Sequence, residues 1–263
     1  MAGPVFCIET EAQSHVGMVR QLNEDRAYAD PVNGVWVVAD GMGGHEAGDF
    51  ASDAIVRHLQ ASAFDAASAM DLESAFRTAI LRANDEIYAV SRQRGNVVIG
   101  STIVGLLTYG NVYRCYWSGD SRAYLLRGDM LARLTRDHTE VQDLLDRGLL
   151  TEEEARVYPH RNAITHAIGV GQEAHLDYAD GDVQAGDVFL LSSDGLTAHL
   201  EDLEIGRIMT GRRARDICQE LVNLALYRGG TDNVTVNVVR FLDASAPDAA
   251  GFPRQFDRDG MAP

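Results

Sequence analysis

The amino-acid sequence predicts an α+β fold in which mainly antiparallel β-sheets are sandwiched between layers of helices. β-rich runs follow one another in blocks, without the regular strand–helix alternation that is typical of a doubly wound parallel sheet. Tight turn sequences separate several neighbouring runs, as in antiparallel hairpins. Helical periodicity is confined to three stretches, which we expect to form the outer layers.

Eight runs of β-forming residues are predicted to be strands. The connections at 109–111 (Tyr-Gly-Asn) and 128–129 (Gly-Asp) are short enough for tight hairpins, so the central sheet should be a meander. The predicted strands are Val5–Thr10, Val35–Asp40, Ser101–Tyr109, Val112–Ser118, Arg122–Arg127, Met130–Thr135, Val188–Ser193 and Val234–Leu242.

Three stretches place apolar residues on one face with the 3.6-residue period of an α-helix. They are Ala47–Leu59, Asp71–Arg94 and Ala214–Tyr227, and Gly95 is predicted to end the second of them. Helices normally stabilise themselves by burying one face. We therefore interpret these apolar stripes as core packing rather than as binding grooves.

One domain is predicted over residues 1–242, with a flap inserted at about 137–162. The flap segment is rich in charge and contains short helical patterns, including a capping box that runs from Thr151 to Glu154. Residues 243–263 are rich in Ala, Asp, Gly and Pro and lack periodicity, so they are predicted to form a flexible C-terminal tail.

Composition excludes several classes of function. The net charge of −16 over 263 residues disfavours nucleic acid and anionic lipid as partners, because both are bound mainly through Lys and Arg. The cysteines Cys7, Cys115 and Cys218 are widely spaced among apolar neighbours, which indicates reduced, buried thiols. With no leader-like N-terminus and no apolar run near the roughly 18 residues of a membrane span, the sequence predicts a cytoplasmic protein.

Aspartates stand at the ends of four predicted strands. Asp40 and Asp194 each follow an apolar run and precede a glycine, Asp120 follows a third run, and Asp232 opens the last strand. A single Asp-Gly pair is usually just a turn, but the repetition suggests that one rim of the fold collects all four carboxylates. Mg²⁺ and Mn²⁺ prefer such oxygen ligands. Zinc is disfavoured at these aspartates, because no paired Cys or His ligands accompany them.

Seven short motifs in a fixed order resemble those of the PPM (type 2C) metal-dependent serine/threonine protein phosphatases in their bacterial form. The resemblance covers residues 10–240, and each motif alone would be weak evidence. The motifs are 14–25 (SHVGMVRQLNED), 40–45 (DGMGGH), 100–102 (GST), 119–124 (GDSRAY), 135–139 (TRDHT), 193–196 (SDGL) and 232–235 (DNVT).

The resemblance implies a four-layer αββα sandwich and a PPM-type catalytic domain over residues 1–242. It also implies that Asp40 bridges two Mn²⁺ or Mg²⁺ ions, that the Gly41 carbonyl binds the first, and that Asp194 and Asp232 complete the second. A third ion would lie at Asp120 and Asp194.

Four further residues receive roles from the same resemblance. Glu24 and Asp25 match acids that hold metal-bound waters, and Asn233 would orient the segment around Asp232. Arg20 matches the phosphate-binding arginine, and a planar guanidinium can hold two phosphate oxygens at once. The catalytic set is therefore predicted to be Arg20, Asp40, Asp194 and Asp232.

The implied reaction is hydrolysis of phosphoserine and phosphothreonine on proteins by direct attack of a metal-bridging water or hydroxide. The resemblance also implies a monomer in signal transduction that opposes a bacterial Ser/Thr kinase and dephosphorylates its targets. The rival hypothesis is a catalytically impaired relative that binds phosphoproteins as a regulatory module, although loss of metal-ligating acids would be expected there. A metal-dependent nuclease is disfavoured by the acidity of the chain.

The sequence does not identify the group that donates a proton to the leaving oxygen. Eukaryotic relatives carry a histidine where this chain has Met42, which cannot donate a proton. His45 and His138 are candidate donors, although either is more simply interpreted as a structural histidine that caps a turn. His160 and Arg161, beside the flap, are candidates for substrate contact or a solvated basic pair.

Overall fold

The computed structural model describes residues 6–43, 47–245, 252 and 254–255. Within these residues the strands are β1 (Phe6–His15), β2 (Asp25–Asp30), β3 (Val35–Met42), β4 (Gly100–Ser101), β5 (Ile103–Tyr109), β6 (Val112–Ser118), β7 (Arg122–Arg127), β8 (Met130–Arg133), β9 (Asp177–Asp182), β10 (Val188–Ser192), β11 (Val234–Asp243) and β12 (Arg254–Gln255). The helices are α1 (Ala47–Gln60), α2 (Ala69–Gln93), α3 (Glu140–Asp146), α4 (Glu152–Arg156), α5 (Asp194–Thr197), α6 (Asp202–Met209) and α7 (Ala214–Tyr227).

The strands form two antiparallel sheets. One has the order β12-β1-β11-β10-β7-β8, and the other has the order β2-β3-β5-β6-β9 with β4 paired to β3. Sequence neighbours β5 and β6 pair through a turn in which Gly110 has a φ of 58°, and Gly128 (φ 59°) plays the same part between β7 and β8. Left-handed backbone of this kind favours glycine, and both hairpins are where the sequence predicted them.

Three apolar cores separate four layers. Helices α1 and α2 pack on one sheet, while α5, α6 and α7 pack on the other. The inner faces of the two sheets meet in the third core, where Trp36 of β3 packs edge-on against Phe241 of β11 at a centroid distance of 6.4 Å. This arrangement confirms the predicted α+β sandwich of antiparallel sheets between helical layers.

The three predicted helices are present, with ends that local chemistry explains. The side chain of Ser68 accepts a hydrogen bond from the Asp71 amide and so caps the start of α2. Gly95, at a φ of 85°, follows its last turn. Burial of the apolar stripe of each helix confirms that these stripes are core packing.

Strands β2 and β9 and helix α6 were missed by the sequence analysis. The residues of β2 (DRAYAD) and β9 (DYADGD) are acidic and poor in β-branched side chains, and both strands lie at the edges of their sheet. Each is held by pairing with a neighbour rather than by its own propensity.

Helices α3 and α4 lie in the segment predicted to be a flap. An isolated bridge joins Thr139, just before α3, to Ile164, beyond α4. The predicted capping box is present, since Thr151 and Glu154 bond reciprocally at the start of α4.

The three cysteines are buried and unpaired, as predicted. Arg254 and Gln255 pair with the first residues of β1, while most of the predicted tail at 243–263 lies outside the described residues. Among the helices that the structure describes, none combines the length and the apolar character needed to cross a membrane.

Candidate active site

Five aspartates from five segments meet at one rim between the two sheets. Asp25 stands directly opposite Asp40 in the β2–β3 pairing. Asp194 opens α5 after β10, Asp232 precedes β11, and Asp120 lies in the turn after β6. The charges of the other four all act on the Asp40 carboxyl. The structure therefore brings together the four aspartates predicted from strand ends and adds Asp25 to them.

The electrostatics of this aspartate cluster favour a bound cation. Burial, followed by the neighbouring carboxylates, raises the pKa of Asp40 well above its ordinary value. Burial also raises the pKa of Asp25 to about 7 and that of Asp120 to about 8. The pKa of Asp194 is raised by burial and by Asp232. Carboxylates crowded in this way favour a bound positive charge.

Two oxygens in the cluster have no hydrogen-bond partner although they are buried, namely Oδ1 of Asp25 and Oδ1 of Asp120. A buried acceptor without a donor is costly, and a divalent cation or the waters around it would satisfy both atoms. An all-oxygen donor set of this kind suits Mg²⁺ or Mn²⁺. The residues present thus fit the predicted metal ions.

A pH-dependent gain in stability is expected when Asp120 is replaced by Asn in the metal-free protein. The pKa of an unfolded aspartate is about 3.9, whereas burial raises the folded value to about 8. Between these values the folded state keeps a proton that the unfolded state has lost. Wild-type stability should therefore fall by about 1 kcal/mol per pH unit across this window through this group alone.

Urea unfolding of EDTA-treated wild type and Asp120→Asn, at about pH 5 and about pH 8, measures this effect. The stability advantage of the variant should be larger at the higher pH. An advantage of equal size at both values would contradict the assignment.

Gly41 sits where no larger residue fits. A Cβ atom at this position would lie 2.1 Å from the carbonyl oxygen of Gly48 and 2.8 Å from that of Glu24. The Gly41 amide donates to the Glu24 carbonyl over 3.2 Å, so the loop before β2 packs directly on the end of β3. This close approach accounts for the glycine, and its role as a carbonyl ligand stays a prediction.

The GST motif supports the backbone of Asp40. The Thr102 amide and the Ser101 hydroxyl both donate to the Asp40 carbonyl, over 2.8 and 3.0 Å. The Thr102 hydroxyl is in turn hydrogen-bonded to that of Ser121 at 2.6 Å, next to Asp120. The motif therefore fixes two predicted ligand segments relative to each other.

Arg20 lies at the open edge of the aspartate cluster. Its Nη2 donates to Oδ2 of Asp232 over 2.7 Å, while 53% of its side chain remains exposed. Gly17 makes this approach possible, because at its φ of 83° a Cβ would lie 2.2 Å from the Asp232 carbonyl oxygen. The structure thus places the predicted phosphate-binding arginine beside a predicted metal ligand.

Asn233 ties the loop that carries Arg20 to the rim. Its Oδ1 accepts from the Glu24 amide over 2.8 Å, and its Nδ2 donates to the carbonyls of Val16 and Leu22 over 2.8 and 3.0 Å. These bonds connect both ends of the segment between β1 and β2 to the start of β11. The side chain of Asn233 thereby holds this segment against the aspartate cluster.

Ser193 was missed as a functional residue by the sequence analysis. Its hydroxyl donates to Oδ2 of Asp25 over 2.8 Å and accepts from the Thr235 amide over 3.0 Å. It stands within the SDGL motif, directly before Asp194, and that position was the only available signal. The bond orients the Asp25 carboxylate, whose other oxygen is buried without a donor.

Comparison with known proteins identifies the fold. Residues 12–144 match the family model described as protein phosphatase 2C. The chain is 33% identical over 245 residues to the protein phosphatase PhpP of Streptococcus pneumoniae, in an alignment that covers 91% of this chain and all of that protein. The chain belongs to the protein phosphatase 2C (PP2C) family.

A second PP2C relative is the serine/threonine protein phosphatase PstP of Mycobacterium tuberculosis, at 36% identity over 244 residues. The alignment covers 92% of this chain and 47% of that protein, so the chain spans about half the length of this relative.

Two solved structures of the family superpose well on this chain. PppA, described as a key regulatory component of T6SS in Pseudomonas aeruginosa, matches with 40% identity and a TM-score of 0.84 over 90% of this chain and 100% of that one. The catalytic domain of PstP in complex with two manganese ions matches with 34% identity and a TM-score of 0.81 over 91% and 100%.

In this PP2C domain a cleft of about 670 Å³ lies between two members of the aspartate cluster and the segment predicted to be a flap. Asp120 and Asp194 line its floor, while Arg156, Arg161 and Asn162 line the flap side. Of the predicted basic pair at 160–161, Arg161 therefore faces this cleft. Its volume is within the range that is typical of ligand-binding clefts.

An ion pair links two of the PP2C motifs at the mouth of this cleft. Arg122 donates to both carboxylate oxygens of Asp137, with distances from 2.6 to 3.1 Å. Both residues lie within the motifs, but nothing in the sequence predicted a role for them. A bidentate pair of this kind fixes the first residue of the flap segment beside Asp120.

His138 has the contacts of a structural residue. Its Nδ1 accepts from the Gly119 amide over 3.2 Å, and its Nε2 lies 3.2 Å from Oδ2 of Asp177. Burial lowers its pKa and so favours the neutral ring. Of the two interpretations offered for His138, these contacts favour the turn cap. The other candidate donor, His45, lies outside the described residues.

Proposed function

We propose that this chain is a metal-dependent protein phosphatase that hydrolyses phosphoserine and phosphothreonine on proteins, without a phosphoenzyme intermediate. The observation that carries the proposal is the cluster of buried aspartates, whose crowding raises the pKa of Asp40 and leaves two carboxylate oxygens without a hydrogen-bond donor. Membership of the PP2C family and the likeness to a manganese-bound phosphatase domain support it.

Asp40, Gly41, Asp194 and Asp232 are the residues that would hold two Mn²⁺ or Mg²⁺ ions, and Asp120 with Asp194 would hold a third. Glu24 and Asp25 would bind waters of these ions. When bound, the ions would activate a water as nucleophile and offset the charge of the phosphate.

The remaining tasks fall to side chains of this chain. Arg20 is proposed to bind two phosphate oxygens with its exposed guanidinium, which Asp232 holds in place. Asn233 is proposed to keep the Arg20 segment and Glu24 at the rim. Met42 cannot protonate the leaving oxygen, so that proton must come from water or from another side chain.

The proposed partners are phosphorylated proteins, among them the targets of a bacterial Ser/Thr kinase and the kinase itself, and the chain is proposed to act as a monomer. The cleft between the aspartate cluster and the flap would receive the phosphorylated segment. Its arginines and acids lie side by side, which favours substrates of mixed charge over nucleic acid.

The proposed function is tested by phosphate release from a phosphothreonine peptide, with Mn²⁺ and with EDTA, for wild type and Asp194→Ala. Wild type should turn over only with metal, and the variant should be inactive in both conditions. Equal activity of both proteins in EDTA would overturn the mechanism. Metal-independent capture of the phosphopeptide without turnover would favour a regulatory binding module instead.

Arg20→Ala is expected to raise KM for a phosphopeptide and to lower kcat/KM by about tenfold to a hundredfold. Bonds to a charged group contribute about 1.5–3 kcal/mol, and each 1.4 kcal/mol corresponds to about a factor of ten. Steady-state kinetics at saturating Mn²⁺ measure the change, with Arg57→Ala as control, since Arg57 pairs with Glu86 and Asp53 on the helical face. Identical KM values for Arg20→Ala and wild type would contradict the assigned role.

A further inference from the structure

Three histidine rings form a cluster beside the aspartate cluster, and they come from three separate segments. We call His138, His166 and His175 the histidine triad. One side-chain nitrogen of each ring lies within 4.8 Å of one nitrogen of each other ring. The ring centroids are 4.2 to 5.3 Å apart. Neither the motifs nor the proposed phosphatase reaction gives His166 or His175 a role.

A carboxylate adjoins the triad. Oδ1 of Asp177 lies 3.1 Å from Nε2 of His175, and Oδ2 lies 3.2 Å from Nε2 of His138. This set of imidazole nitrogens with one carboxylate differs in kind from the all-oxygen aspartate cluster. Imidazole suits Zn²⁺ and other transition metals, whereas carboxylates and waters suit Mg²⁺ and Mn²⁺.

The three histidines of the triad differ in their exposure to solvent. His138 is buried, while His166 and His175 are exposed. In a tetrahedral zinc site the nitrogens lie about 2.0–2.1 Å from the ion and hence roughly 3.4 Å from one another. The present spacing is wider by about 1.4 Å at most, so metal binding would require the two exposed side chains to rotate toward the ion.

We propose that the histidine triad, with Asp177 beside it, is a second metal site that binds a divalent transition-metal ion of the zinc class. The neutral state of His138, which burial favours at pH 7, leaves its ring free to coordinate without loss of a proton to solvent. Three histidine ligands leave a fourth position for Asp177 or for water, as in known zinc sites.

Occupancy of this site is coupled to the turn that carries Asp120. Nδ1 of His138 accepts from the Gly119 amide, so the ring proton is on Nε2. A metal on Nε2 requires that this proton move to Nδ1, and the Gly119 amide then loses its acceptor. A bound ion would therefore change the hydrogen bonding of Gly119, the residue directly before Asp120.

Isothermal titration of EDTA-treated, dialysed protein with Zn²⁺, in excess Mg²⁺ to saturate the aspartate cluster, tests the proposal. Wild type should bind one Zn²⁺ that His166→Ala and His175→Ala each weaken at least about tenfold. His58→Ala is the matched control, because His58 pairs with Glu86 on the helical layer, and it should bind as wild type does. Circular dichroism verifies the fold of each variant.

A second readout is the backbone amide resonance of Gly119, which should shift on addition of Zn²⁺ in wild type and not in His166→Ala. Absence of Zn²⁺ binding in wild type, or equal affinity in wild type and both triad variants, would overturn the proposal. None of these measurements depends on phosphatase activity, so failure here is distinguishable from failure of the proposed function.

Discussion

Asp40→Asn is expected to lower kcat by at least about a thousandfold and, at the same time, to stabilise the metal-free protein. The first effect follows from loss of the residue proposed to bridge two ions. Metal ions contribute several kcal/mol of transition-state stabilisation, and a factor of a thousand corresponds to about 4 kcal/mol. The second effect follows from the aspartate cluster itself.

Without metal, the folded protein confines the Asp40 carboxyl with four other acids, and burial raises its pKa. A carboxyl whose folded pKa is raised destabilises the folded state increasingly as pH rises above the unfolded value of about 3.9. An amide at this position removes that charge without changing the size of the side chain. The metal-free variant should therefore unfold at a higher temperature than wild type at pH 7.

Phosphopeptide kinetics with Mn²⁺ and thermal unfolding in EDTA measure the two effects on the same preparations. Asp85→Asn, an exposed position on α2, is the control and should change neither quantity appreciably. The opposing signs make the prediction specific, because a merely misfolded variant would lose both activity and stability. Retention of kcat, or a lower unfolding temperature in EDTA, would show that Asp40 does not have the proposed role.

Most of the fold could be predicted because the spacing of apolar residues along the chain reflects which side chains are buried. Helix α2 and strand β10 carry their apolar pattern in the residues themselves, and the glycines at 110 and 128 mark hairpins by a backbone conformation that other residues avoid. The residues of strands β2 and β9 show no such apolar pattern. These residues form strands because they pair with β3 and β6. The sequence of the two strands alone does not show that pairing.

The sequence pointed to the aspartates of the cluster, but it did not show which residues the supporting side chains would bind. An aspartate at the end of an apolar strand is a weak signal alone, but its repetition at several strand ends pointed to Asp40 and Asp194. Ser193 and Asn233 act through bonds to residues 168 and more than 200 positions away, and only the folded chain shows those partners. The histidine triad was not predicted from the sequence for the same reason, since nothing in the chain order relates His166 to His138.

Asn233→Asp is expected to destabilise the protein by about 3 kcal/mol and to lower kcat/KM about a hundredfold. The substitution keeps the shape of the side chain but replaces its Nδ2 donor by an oxygen that faces the carbonyls of Val16 and Leu22. Each carbonyl left without a donor costs about 1–3 kcal/mol. A further negative charge is also placed beside Asp232. The segment that carries Arg20 should then detach from the rim.

Asn237→Asp provides a matched control on the same strand. Asn237 is also buried and also donates from Nδ2 to a backbone carbonyl, that of Tyr28, but its contacts lie away from the aspartate cluster. Both variants should unfold at lower urea concentration than wild type, whereas only Asn233→Asp should lose kcat/KM in the folded state. Equal kinetics of the two folded variants would show that the bonds of Asn233 stabilise the domain without positioning Arg20. A loss confined to Asn233→Asp would establish that a neutral side chain, distant in sequence from Arg20, sets the geometry of phosphate binding.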